Sequence, residues 1–163
     1  MRILGIDPGL STVGIGLIEA ESPQNCRALD WMTITTSPGD TSTDRLNELG
    51  TNLEEILEEM KPELAVVEQV FFAKNERTAI SVAQARGVIL FLLAKRSIRV
   101  MEPTPMQLKA TITGDGSADK KQMAVMVQRM LKLDAPPTPA DSADALGLAL
   151  YGALMKKQME IAK

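Results

Sequence analysis

The chain has 163 residues, 45% hydrophobic and 24% charged, with 18 basic side chains against 21 acidic ones for a net charge of −3. This composition excludes disordered, collagen-like and coiled-coil classes and fits one domain over residues 1–163 with enough apolar mass for a core. With no histidine and a single cysteine, Cys26, the chain has no imidazole base, Ser-His-Asp triad, internal disulfide or thiolate metal cage, so acid–base or metal chemistry must fall to carboxylates and lysines.

Residues 2–7 (RILGID) are an apolar run ending in a carboxylate. Asp7-Pro8-Gly9 breaks the run, and residues 13–20 resume a β-branched apolar pattern. After a turn cluster at 22–25, residues 29–36 alternate and are rich in Thr, which predicts a third strand and an antiparallel meander. Leu46, Leu49, Leu53, Ile56, Leu57 and Met60 recur at three- and four-residue steps, with Glu54, Glu55, Glu58 and Glu59 on the other face. That is an amphipathic helix ended by Pro62. Leu64-Ala65-Val66-Val67 is apolar without alternation, as expected of a parallel strand covered on both faces, and it terminates in Glu68.

Further along, a strongly apolar helix is predicted over 76–96, a short strand over 98–101, and a short helix from Pro105 to 112. A loop at 113–117, a helix over 118–133, a Pro-rich connector at 135–139 and a last helix over 140–160 complete the chain. The order predicts an α/β fold with a mixed five-stranded sheet flanked by helices, and ligands gathering beyond the carboxyl ends of its parallel strands. The longest uninterrupted apolar run, 88–94, is far below the ~20 residues that cross a bilayer, and the N-terminus lacks a signal pattern, so the expected location is cytoplasmic.

Charge is unevenly spread. Residues 1–72 carry a net −9 and residues 73–133 a net +7. A basic central third can present a positive face to nucleic acid if the fold gathers it on one side, and the ordinary alternative is a set of solvated helix faces.

Asp7 and Glu68 each sit at the C-terminal tip of an apolar strand, and Asp141 and Asp144 lie three apart at the start of the last helix, on roughly one face. Four carboxylates converging on one spot would suit hard divalent cations, with Mg²⁺ the natural occupant and Mn²⁺ the alternative, in a phosphodiester-cleaving centre. Each acid also has a plainer explanation: Asp7 as a turn residue, Asp141 and Asp144 as helix N-terminal acids. Glu68 is harder to explain that way, because a carboxylate directly after four apolar strand residues faces desolvation unless something positive pairs with it. Phe71 and Phe72 follow in an apparent loop, where one can stack on or wedge between bases or both can pack inward. Lys74, Arg77, Lys109, Lys120 and Lys121 are candidates for phosphate contacts and for neutralising charge in the transition state.

Four blocks then stand together: Ile3-Leu4-Gly5-Ile6-Asp7-Pro8-Gly9, Val67-Glu68-Gln69-Val70-Phe71-Phe72-Ala73-Lys74-Asn75, Ala83-Gln84-Ala85-Arg86-Gly87-Val88 and Ala140-Asp141-Ser142-Ala143-Asp144-Ala145-Leu146. In order and spacing they resemble the RuvC family of Holliday-junction resolvases. The resemblance implies a ribonuclease H-like fold and a homodimer. It also implies Mg²⁺-dependent nicking of two like-polarity strands at a four-way DNA junction in recombination and repair, leaving 5′-phosphate ends. By motif match, Asp7, Glu68, Asp141 and Asp144 are the implied metal-binding acids, Lys109 and Lys120 the active-site lysines, and Phe71 the base-contacting aromatic. The helix containing Gln84 and Leu93 is the implied dimer interface, with Ile80, Val88, Leu92 and the small Ala83 and Gly87 as its apolar surface. A branch-migration motor is a further candidate partner. The chain departs from the family pattern in its acidity, in Lys121 beside Lys120, which leaves two lysines for one role, and in Ser142 between the paired acids. Two rival classes are a noncatalytic junction-binding protein on the same fold and a nucleotide-binding relative of the sugar-kinase and actin lineage. The second lacks a Walker-type loop here.

Overall fold

A computed structural model describes the backbone of residues 1–70 and 76–161, and the side chains of 1–70 and 78–156. Five strands, β1 (Arg2–Asp7), β2 (Thr12–Ser22), β3 (Asn25–Thr35), β4 (Leu64–Val67) and β5 (Arg99–Met101), form one sheet in the order β3-β2-β1-β4-β5. The β1-β2-β3 meander is antiparallel, and β4 and β5 add to it in parallel. Five helices complete the fold: α1 (Ser42–Met60), α2 (Glu76–Lys95), α3 (Pro105–Thr113), α4 (Lys120–Met130) and α5 (Ala140–Ile161).

Strand parity sorts the core into two layers. Ile3, Ile18, Leu64 and Val66 point to the side covered by α3, α4 and α5, where they meet Leu108, Met123, Val127 and Leu146. Leu4, Ile6, Ile15, Ala65 and Val67 point the other way, to Leu49, Leu53 and Leu57 of α1 and Ala85, Ile89 and Leu93 of α2. The same alternation decides where the strand-end acids go. Asp7 shares parity with Ile3 and Gly5, and Glu68 with Leu64 and Val66, so both acids belong to the α5 side.

Three element limits differ from the pattern-based expectation, each for a local reason. β3 begins at Asn25, because Pro23-Gln24 is a tight turn in which the Asn25 N–H donates to Ser22 Oγ at 3.1 Å. α1 ends at Met60, where Lys61 caps it: a left-handed φ of 47° lets the Lys61 N–H donate to the Leu57 carbonyl one residue before the proline. α4 is shorter than residues 118–133, because Asp119 caps its start by accepting from Gln122 N, and Lys132 leaves the helical region at φ 54°.

α2 is long and apolar enough, by length and composition, to cross a membrane. Here its inner face packs into the core through Ala85, Ile89, Leu92 and Leu93. The outer face corrects one expectation. Leu92 is buried in the core, and Phe91 stands outward in its place, 65% exposed, with Ile80 likewise exposed.

Candidate active site

Two parallel strands and the start of one helix build the site. β1 and β4 pair with Ile6 opposite Val67, so Asp7 and Glu68 are the next residues on adjacent strands, at a strand spacing of ~4.8 Å. α5 lies across β1 and β2 on the same side of the sheet. Its approach is close because glycines line the track: a Cβ at Gly5 would sit 1.8 Å from the Ala145 carbonyl oxygen, and one at Gly16 2.6 Å from Leu146 N. At Gly14 a Cβ would lie 2.1 Å from the carbonyl oxygen of Asp141. The first turn of α5 is anchored by Ser142, which is fully buried and donates from Oγ to the Pro139 carbonyl at 2.7 Å. The small hydroxyl between the two acids therefore turns away from them to hold the helix start.

The result is a carboxylate cluster. One oxygen from each of Asp7, Asp141 and Asp144 falls within 4.8 Å of the others. Glu68 joins Asp7 and Asp144 in lining a cleft of about 250 Å³, whose other walls are Pro105, Leu108, Lys109, Lys120, Met123 and Leu148. Lys109 comes from α3, which begins with Pro105 behind a Thr104–Gln107 capping box. Lys120 is the first residue of α4, directly after the N-cap Asp119 of its Asp119–Gln122 capping box. Its Nζ donates to Asp144 Oδ2 at 3.0 Å. Lys121 is exposed and is not among the cleft residues, which separates the two neighbouring lysines.

Electrostatics follow from crowding. Burial, and then the negative charges of Glu68, Asp144 and Asp141, push the Asp7 carboxyl up to about 7, against the opposing pull of Lys120. Burial and Asp144 raise Glu68, with Lys120 and Lys109 acting the other way. The hydrogen bond to Asp144 and the surrounding acids raise Lys120. Carboxylates forced together in a partly desolvated cleft, with one lysine in direct contact, form a donor set that suits hard, oxygen-seeking divalent cations.

Of the residues singled out by sequence, Asp7, Glu68, Asp141, Asp144, Lys109 and Lys120 come together. Phe71, Phe72 and Lys74 lie outside the described residues. Arg77 lies in the first turn of α2, outside the described side chains. Two contributors were not flagged by sequence. Gly14 admits α5, and a glycine inside an apolar strand is the signal for such a close backbone approach. Arg86 donates from Nε to the Glu68 carbonyl oxygen at 3.1 Å; an arginine in the middle of an apolar helix is a weak pointer to such a role.

A mixed sheet with acids at its parallel strand tips and on the crossing helix defines a nuclease of the ribonuclease H-like class. Comparison with known proteins makes the assignment specific. The family model described as crossover junction endodeoxyribonuclease RuvC matches residues 3–151. A crossover junction endodeoxyribonuclease RuvC of Prochlorococcus marinus (strain MIT 9313) is 46% identical over 152 residues, 93% of this chain and 97% of that protein. The structure of T. thermophilus RuvC in complex with Holliday junction substrate superposes with a TM-score of 0.91 at 31% identity, covering 98% of this chain and 96% of the other. A yeast mitochondrial Holliday junction resolvase shares the fold alone, with a TM-score of 0.70 at 11% identity, covering 98% of this chain and 82% of that one. The chain belongs to the RuvC family of crossover junction endodeoxyribonucleases.

Proposed function

We propose that this enzyme resolves four-way DNA junctions by paired hydrolysis of two like-polarity strands, leaving 5′-phosphate ends, with Mg²⁺ as its working cation. The observation that carries the reading is the meeting of Asp7, Asp141 and Asp144 from two separate elements, with Glu68 lining the same cleft. Divalent cations at such a centre, when bound, polarise the phosphate and activate the attacking water. Asp7, whose carboxyl feels the charges of Glu68, Asp144 and Asp141, would be the central ligand of the cation, Glu68 and Asp144 would be further ligands, and Asp141 would be a ligand or would orient the water. Lys120, paired with Asp144, and Lys109 in the same cleft are assigned to the negative charge that builds on the phosphate in the transition state. Phe71 and Phe72 are assigned to base contacts, and Lys74, Arg77 and Lys121 to phosphate contacts.

A junction has two-fold symmetry, and one cleft per chain fits paired nicking only in a dimer. The outward stripe of α2, running through Ile80, Ala83, Gln84, Gly87 and Phe91, supports that assembly. Its residues are exposed, and at Gly87 an added Cβ would meet nothing within 4 Å. Recruitment by a branch-migration motor fits the same task.

The test is cleavage of a fixed four-way junction beside plain duplex of the same sequence, with and without Mg²⁺. Mg²⁺-dependent cutting confined to the junction is expected, and equal cutting of the duplex would overturn the assignment.

A further inference from the structure

We propose that Arg86 is a positioning residue for the metal site, tying Glu68 to helix α2 and to the tail of β5. This rests on the reading of Glu68 as a metal ligand. Glu68 leaves the end of β4 with its carboxylate in the cleft, and a strand end without ladder partners needs something to hold its backbone. Two contacts do so. The Gln69 N–H donates to the Pro103 carbonyl at 2.9 Å, and Arg86 Nε donates to the carbonyl of Glu68 itself at 3.1 Å. Nη2 of the same guanidinium donates to the Glu102 carboxylate, directly after β5.

A guanidinium is a rigid planar fork, so one side chain fixes the separation of two acceptors on two different segments; a lysine ammonium reaches either acceptor but imposes no such geometry. The Arg86 side chain is 20% exposed, and a charge so far out of water is held there by pairing with Glu102. Glu68 and Arg86 are 18 residues apart, so the contact ties the residue after β4 to the middle of α2. Arg86 also sits between Ala85, fully buried in the core, and exposed Gly87 on the outer stripe. The helix proposed to carry the dimer contact is therefore joined by one side chain to the backbone of a proposed metal ligand. Outer partners of this kind orient metal ligands, and their loss typically weakens metal affinity by about 10- to 100-fold.

The experiment compares wild type, Arg86→Met, Arg86→Lys and Glu68→Gln. It measures Mn²⁺ binding by isothermal titration, the Mg²⁺ concentration for half-maximal junction cleavage, and the melting temperature. Arg86→Met is expected to raise both metal constants about tenfold, with Arg86→Lys between it and wild type. A purely structural staple would lower the melting temperature and leave the metal constants unchanged. That result, alongside a weakened Glu68→Gln, overturns the proposal alone. Wild-type metal affinity in Glu68→Gln overturns the ligand assignment and the proposal with it. If Arg86→Met fails to fold, Arg86→Lys carries the test on the same criteria.

Discussion

The Asp141 carbonyl oxygen lies 2.1 Å from the point where a Cβ on Gly14 would stand, and Gly14 is the register partner of Asp7. The distance from the last helix to the strand-end acid is thus set by backbone against backbone, with no side chain between them to compress. Gly14→Ala must move the start of α5, because neither partner is a flexible side-chain end. A displacement of ~1 Å at reacting groups costs about a hundredfold in rate. Single-turnover junction cleavage by Gly14→Ala is expected to fall by about that factor, with secondary structure by circular dichroism preserved. A wild-type rate would show that the close approach is not what aligns Asp141.

The two neighbouring lysines are separable. Lys120 contacts Asp144, and Lys121 is outside the cleft. The Lys120–Asp144 pair is largely exposed on the lysine side, and exposed pairs contribute ~0–1 kcal/mol to stability. Lys120→Gln should therefore melt close to wild type while cutting about 10²- to 10³-fold more slowly. Lys121→Gln should cut a saturating junction near the wild-type rate and act, if anywhere, on junction affinity at raised salt. Equal losses of cutting rate in the two variants would contradict the separation.

Burial and like charges raise the folded-state pKa of Asp7 to about 7 from an ordinary 3.8. Between those values the folded chain binds a proton that the unfolded chain does not. The contribution of Asp7 to stability therefore falls as pH rises through that window. Asp7→Asn has no such proton to lose. With a chelator present, the melting temperature of Asp7→Asn minus that of wild type should widen from about pH 4 to about pH 7 and then level off. A difference independent of pH would contradict the crowded-acid picture.

On α2, Phe91 and Ile80 are exposed three turns apart along one stripe. Phe91→Glu places a charge on that stripe without touching the inward Ala85, Ile89 and Leu93. Light scattering should give a monomer for this variant and a dimer for wild type, and junctions should then be nicked on one strand at a time. A dimer that survives Phe91→Glu would place the interface elsewhere.

Much of the fold was legible because its signals are local. The apolar runs of β1 and β2, the alternation of β3, the unalternating β4, the three-four periodicity of α1 and Pro105 at the start of α3 each specify one element with little help from the others. The site was half legible. Asp7 and Glu68 announce themselves as acids closing apolar strands, but their meeting with Asp141 and Asp144 depends on α5 crossing β1 and β2 at Gly5, Gly14 and Gly16, a contact between distant segments. Arg86 stood in one of the recognised blocks, but its tie to Glu68 was not legible for a similar reason, since its acceptors are 18 and 16 residues away. The confusion of Leu92 with Phe91 has another cause: α2 is apolar nearly all round, so periodicity alone does not say which face turns inward. β3 starts earlier than its alternation suggests because the Pro23-Gln24 turn brings Asn25 straight back beside Ser22, ahead of the alternating stretch.

The most direct test of the central claim, that one carboxylate cluster centred on Asp7 does the cutting, is Asp7→Asn assayed on a fixed junction for binding and cleavage in parallel. The account predicts wild-type junction affinity in the absence of divalent cations and no detectable cleavage at saturating Mg²⁺. Substantial Mg²⁺-dependent cleavage by Asp7→Asn would contradict it.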